Sequence, residues 1–200
     1  MNYIKHQETI ADNHKLHCRG NIQLIMHKDR TAAVVGNRDI SEYTKQYIKK
    51  MPPRLLARDY IICTGLSSGV DYQMATAYLK AGGKVIGVLP TGLNQFKKKN
   101  LNKYIESGHL LLVSEYPNNA SWTAKQAFER NHVIIDLSSK VFILQSTYSG
   151  GTWNDIEICR QKKKTTWFLA PVNEKTPQKG KEIVTQADYL AFGFKELPLL

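Results

Sequence analysis

Three stretches of the chain carry side chains suited to holding an anion. The first is "TGLSSGVD" (64–71), which leaves an apolar run through two glycines, two serines and an aspartate. Gly65 and Gly69 permit positive φ and close approach of backbone to a ligand. Ser67 and Ser68 offer hydroxyls beside the N–H groups that open the next helix, and a helix N-terminus attracts phosphate. Asp71 suits no anion and is expected to hold the loop by accepting N–H bonds. The second stretch, "QSTYSGGTW" (145–153), repeats the chemistry with Ser149, Gly150, Gly151 and Thr152. The third, "VVGNRDIS" (34–41), turns at Gly36 and presents Arg38. Between the last two, "FERNH" (128–132) brings Arg130 and Asn131 toward the same crevice. Each has a plainer reading: a tight strand–helix turn, a surface arginine, a helix-surface pair of Arg130 with Glu129.

Charge and aromatics add to this. Lys97, Lys98 and Lys99 follow a strand and are candidate phosphate contacts, whereas Lys162, Lys163 and Lys164 end a helix, where they suit the dipole. Single-strand binders stack bases on aromatic rings. Tyr148 and Trp153 are the candidates here, with Tyr72 and Phe96 expected in the core.

Regular elements must position these groups. Runs 31–36, 60–65, 84–90, 109–116, 140–145 and 165–171 read as strands that are apolar on both faces. Helices are expected at 41–58, 70–83, 99–108, 121–138 and 151–164, with a weaker one at about 177–190. Ser41 is a fitting N-cap, Gly82-Gly83 a fitting stop, and Pro52-Pro53 is expected to break or restart its helix. The alternation predicts an α/β, Rossmann-like doubly wound fold, with a mainly parallel sheet and helices on both faces. Ligands of such folds sit at the carboxyl ends of the strands, where all three stretches fall. Residues 1–30 read as an N-terminal extension whose part 16–29 is an arm packed on the domain. Residues 31–171 form the domain, and 172–200 a C-terminal tail with a short helix.

Composition limits the function classes. The chain has 200 residues, 42% of them hydrophobic, enough for one domain with a core. Its net charge of +11 favours polyanionic partners. Cys18, Cys63 and Cys159 have no metal-ligand spacing and read as buried free thiols. No cofactor or metal is implied. The first fifteen residues lack the apolar segment of a signal peptide, and no run is long enough to span a membrane, so a cytoplasmic location is expected.

The order and spacing of "RGN" (19–21), "VVGNRDISEYT" (34–44), "TGLSSGVD" (64–71), "AGGKVIGVLPTGLN" (81–94), "SEYP" (114–117), "FERNHVI" (128–134), "YSGG" (148–151) and "LAP" (169–171) resemble the DNA-processing protein A (DprA/Smf) family. The resemblance covers about 16–171. It implies a Rossmann-like domain that binds single-stranded DNA, forms a homodimer and hands the strand to a RecA-type recombinase. The chain also departs from the pattern. The family's phosphate-contacting arginine falls at Ser68, its Arg-Asn-Arg at Arg130-Asn131-His132, its acidic residue after the fifth strand at Gln145, and its aromatic-proline-proline element at "FKKKN" (96–100). The family's usual helical and winged-helix flanking domains are not expected within these 200 residues.

Three readings therefore stand. One is a single-stranded DNA binder. Another is a module for a small nucleotide, such as a signalling nucleotide, in a phage or mobile element. The third is a nucleotide N-glycosidase resembling the LOG-type phosphoribohydrolases, whose glutamate position is taken by Asp155, with Glu157 close by. A carboxylate beside a phosphate site can stabilise an oxocarbenium ion. No second carboxylate is clearly placed in the sequence, and His109 and His132 form no recognisable dyad, so a non-enzymatic role is favoured.

Overall fold

The computed structural model describes residues 6–171 and 182–198. In chain order the strands are β1 (His6–Ala11), β2 (His14–Gly20), β3 (Thr31–Val35), β4 (Ile61–Thr64), β5 (Lys84–Val88), β6 (Leu110–Ser114), β7 (Lys140–Ile143), β8 (Thr166–Phe168) and β9 (Lys195–Glu196). The helices are α1 (Glu42–Leu56), α2 (Val70–Lys80), α3 (Asn102–Glu106), α4 (Ala124–Asp136), α5 (Gly151–Gln161) and α6 (Gln186–Ala191). The strands form one sheet in the order β1-β2-β6-β5-β4-β3-β7-β8-β9. From β6 to β9 every pairing is parallel.

The two-sided apolar strands explain the layers. Along β3, Ala32 and Val34 enter one core and Ala33 and Val35 the other. Along β6, Leu110 and Leu112 divide from Leu111 and Val113 in the same way. One core includes Met51 and Leu55 of α1 and Met74 and Tyr78 of α2; the other includes Val133 of α4 and Ile156 and Cys159 of α5. Side chains alternate across a strand, so both faces need helical cover, and the doubly wound arrangement follows.

Two expectations change. The N-terminal arm is part of the sheet. β1 and β2 form a hairpin around Asp12 and Asn13, both left-handed with φ of 48° and 67°, as a two-residue type I′ turn requires. β2 then pairs antiparallel with β6 and buries Leu16 and Cys18. His14 pins the hairpin, its ring nitrogens 2.7 Å from Glu115 Oε1 and 3.1 Å from Asp136 Oδ2. Second, α1 runs unbroken through Pro52 and Pro53. The two missing N–H groups fall in its last turns, and Met51, Pro52 and Leu55 are buried there. Ala57 N still reaches Pro53 O at 3.0 Å. Burial of that face offsets the lost hydrogen bonds.

Other local signals act as expected. Ser41 Oγ accepts Thr44 N at 3.1 Å and caps α1. Gly82, at φ 88°, lets Gly83 N return to Tyr78 O at 2.9 Å and close α2. The region expected as a helix at about 177–190 begins outside the described residues; its described end holds α6. The three cysteines are free and buried, and burial pushes each thiol up to about 12. Among the described residues, no helix is long and apolar enough to cross a membrane.

Candidate anion and nucleic-acid site

The carboxyl ends of β3, β4 and β7 open on a cavity of about 360 Å³. Strand order reverses here: β4, β5 and β6 lie to one side of β3, and β7, β8 and β9 to the other. This is the switch point at which doubly wound sheets bind ligands.

Eleven of the residues singled out in the sequence line the cavity: Gly36, Arg38, Ser67, Asp71, Arg130, Asn131, Ser149, Gly150, Gly151, Thr152 and Asp155. The 37–41 turn is fixed by Gln145 at the end of β7. Its Oε1 accepts Ser41 N at 3.0 Å and the Thr44 hydroxyl at 2.9 Å, and its Nε2 donates to Asp39 O at 3.2 Å. An amide can accept and donate in this way, which a carboxylate cannot. Arg38 stays exposed at the rim.

The first glycine loop behaves differently from its reading. Leu66 adopts φ 51°, a costly conformation for a branched residue, and the turn brings Ser67 to the cavity wall. Gly65, Ser68 and Gly69 do not line it. A Cβ on Gly65 would overlap the Arg130 guanidinium. A Cβ on Gly69, itself at φ 90°, would overlap the backbone of Asn37 and Arg38. Val70 N is already bonded to Asn37 O at 3.1 Å, and Tyr72 N to Ser67 O at 2.9 Å. The N-terminus of α2 is thus covered by the protein itself. These glycines make room for protein groups, and Ser68 is exposed outside the wall.

The second loop leaves its helix open. Gly150, at φ 90°, is the N-cap of α5 and no side chain caps the helix. A Cβ built on Gly150 or Gly151 meets nothing within 4 Å. Asn131, buried to 4% exposure, holds this turn from behind, donating to Gly151 O and Asn154 Oδ1, both at 3.1 Å. The open N–H groups and the dipole of α5 make this the anion-attracting edge of the cavity.

Beneath lies a buried charge cluster. Arg130 is 5% exposed, donates to Val88 O at 3.0 Å and to Ser67 Oγ at 3.5 Å, and leaves Nε without a partner. It does not pair with Glu129, which lies 3.6 Å from Lys125 instead. Asp71 is 6% exposed and Asp155 4%. Burial pushes the Asp71 carboxyl up to about 6, with the Arg130 charge and the N–H groups of Gly36 and Gly65 acting in the opposite direction. Burial, reinforced by the charge of Asp71, raises Asp155 well above the ordinary range, and its Oδ1 has no hydrogen-bond partner. Burial in turn lowers Arg130. The second carboxylate that the sequence did not place is therefore Asp71, while Glu157 is exposed.

The lysines and aromatics also sort differently. Lys97, Lys98 and Lys99 lie outside the cavity wall. Lys98 Nζ sits 4.0 Å from the centre of the Tyr72 ring, and Lys97 and Lys99 are exposed. Tyr148 bonds through its hydroxyl to Asp188, and Trp153 packs between Tyr148 and Phe192. The open rings at the cavity are Trp122, 55% exposed, and Phe128, 44% exposed. Sequence reasoning missed both. Trp122 in the polar stretch "NNASW" was the available signal.

A family model, DNA recombination-mediator protein A, matches residues 2–192. DNA processing protein DprA of Bacillus subtilis is 29% identical over 139 residues, covering 68% of this chain and 46% of that protein. DprA of Streptococcus pneumoniae is 32% identical over 137 residues, covering 67% and 47%. The chain spans about half the length of these curated relatives. Among solved structures, DNA processing protein A of Helicobacter pylori, studied for its single-stranded DNA binding mode, superposes with a TM-score of 0.79 at 22% identity, covering 96% of this chain and 89% of that one.

Proposed function

Because this chain belongs to the DNA recombination-mediator protein A family, we propose that it binds single-stranded DNA across the cavity at the carboxyl edge of the sheet. One phosphate sits at the N-terminus of α5, on the backbone of Gly150, Gly151 and Thr152, with Ser149 and Arg38 beside it. Trp122 and Phe128 stack the flanking bases. Lys97 and Lys99 contact phosphates further along the strand. The observation that carries the reading is one convergence: an uncapped helix N-terminus, an exposed arginine and two exposed rings around the same cavity. A role in DNA processing or recombination, a homodimer and a RecA-type partner belong to the same proposal and rest on the family alone.

Oligo-dT binding across a salt series tests it. Each phosphate contact on a single strand contributes about −0.7 to the slope of log K against log salt, so roughly four contacts give about −3. No binding at low salt would overturn the reading. A small nucleotide in the same cavity is the second reading. It is favoured by the volume of about 360 Å³, within the ~300–1,000 Å³ of small-molecule sites. It calls for a shallow salt response and for mononucleotide competition.

A further inference from the structure

A second groove, of about 210 Å³, lies at the opposite, amino end of the sheet, between the end of α1, the starts of β4 and β7, and the chain after β9. Its floor is apolar, made by Met51, Leu55, Phe142 and Leu197, all buried. Its walls are Tyr60 and Trp167, whose ring centres lie 6.2 Å and 5.6 Å from that of Phe142.

Its rim is cationic. Arg54, Arg58 and Lys140 line it, and Lys195 lies against Trp167. Among the described residues none of the four makes an ion pair. Arg58 donates only to Arg54 O, at 3.3 Å, and Lys140 to the Tyr60 hydroxyl, at 2.8 Å. The neighbouring carboxylates are engaged elsewhere, Asp59 with Arg30 and Glu196 with Gln186. Four like charges around an apolar slot repel one another, and an occupant with negative charge relieves that repulsion.

We infer that this groove docks an acidic peptide segment of a partner protein, with one large apolar side chain in the slot and flanking carboxylates on Arg54, Arg58, Lys140 and Lys195. Three observations favour a peptide over nucleic acid. Lysines already lie over the rings, with Lys140 Nζ 4.6 Å from the centre of Tyr60 and Lys195 Nζ 5.6 Å from that of Trp167, so those faces are not open for a base to stack. Phe142 is only 7% exposed. The volume is below the ~300 Å³ at which drug-sized sites begin, so it suits one side chain rather than a nucleoside. Apolar anchors with a charged rim are the usual form of peptide docking sites.

The probe is a fluorescein-labelled peptide, Asp-Asp-Leu-Phe-Asp-Asp, read by anisotropy on the whole chain. The parent should bind it, and ten-nucleotide oligo-dT should not displace it. Arg54→Glu/Arg58→Glu should weaken peptide binding at least tenfold while leaving oligo-dT binding within about twofold. Both arginines are exposed, so the fold should hold, and an unchanged circular dichroism melting curve checks this. A probe with Ser-Ser in place of Leu-Phe should also bind at least tenfold more weakly. The inference is overturned if the parent fails to bind the peptide, if the double variant binds it as the parent does, if the Ser-Ser probe binds equally well, or if oligo-dT displaces it.

Discussion

Replacing Asp71 by asparagine tests which force governs the floor of the cavity. Asp71 is 6% exposed, with Arg130 near enough to favour its charged form. Were attraction the stronger effect, the carboxyl would titrate below its ordinary value. Burial outweighs it and moves the group from 3.8 to about 6. At about 1.4 kcal/mol per pH unit, that span is worth about 3 kcal/mol. The sign follows from linkage. The folded state holds the proton more tightly than the unfolded state, so the contribution to stability is fully present below pH 3.8 and is lost as pH rises through about 6. Other carboxylates and the net charge also titrate, so the informative quantity is the stability of the parent minus that of Asp71→Asn, from urea unfolding at each pH. It should fall by about 3 kcal/mol between pH 3 and pH 7. Asp155 keeps the sign, because an ionised Asp71 makes Asp155 harder to ionise. A flat difference, or one that rises with pH, would show that attraction to the Arg130 charge dominates and that the reasoning is wrong.

Further outcomes follow from the same geometry. Gly151→Val should leave the melting temperature within a few degrees but reduce oligo-dT affinity at least tenfold, whereas Gly69→Ala, forced against Asn37 and Arg38 at positive φ, should cost about 1–3 kcal/mol in urea unfolding. Arg38→Ala should make the log–log salt slope shallower by about 0.7. Lys97→Ala/Lys99→Ala should do so by twice that, and Lys98→Ala by less, because its ammonium lies over Tyr72. Oligo-dT affinity should rise as pH is lowered from 7 through 6, where Asp71 gains its proton and stops repelling phosphate, and Asp71→Asn should flatten that rise.

The fold was legible because its signal is local. Six runs apolar on both faces, separated by helical runs, admit few arrangements other than a covered parallel sheet. β2 was harder. Leu16, Cys18 and Gly20 alternate with polar residues after an Asp-Asn pair, a hairpin signal that is easily read as an irregular arm. At the site, residue types pointed to the loops that meet at the cavity, but not to what each glycine faces. Gly65 is small because Arg130, sixty-five positions later, lies across it, and Gly69 because the 37–38 backbone does. Such long-range contacts leave no trace in the spacing of a single loop. The two glycine loops read alike, yet one makes room for protein groups and only the other leaves its helix end open.

The balance of charge in the floor limits what the cavity can do. Around neutral pH Asp71, at about 6, is ionised and offsets Arg130, while burial and the charge of Asp71 disfavour ionisation of Asp155. The buried cluster thus offers a phosphate no free positive charge, and Arg130, 5% exposed, is too enclosed to follow a ligand. What faces an incoming phosphate is Arg38 and the end of α5, a helix terminus worth about half a positive charge. That suffices for one phosphate and not for a row of them. Ser68, which stands where the resemblance expects an arginine, adds no charge. If the proposed strand binding holds, a strand should gain affinity by reaching beyond the cavity to Lys97 and Lys99 and by stacking on Trp122 and Phe128, with the cavity fixing its register. A mononucleotide can use only the cavity. The drop in affinity as the strand is shortened to a single phosphate thus measures how much of the binding the cavity provides.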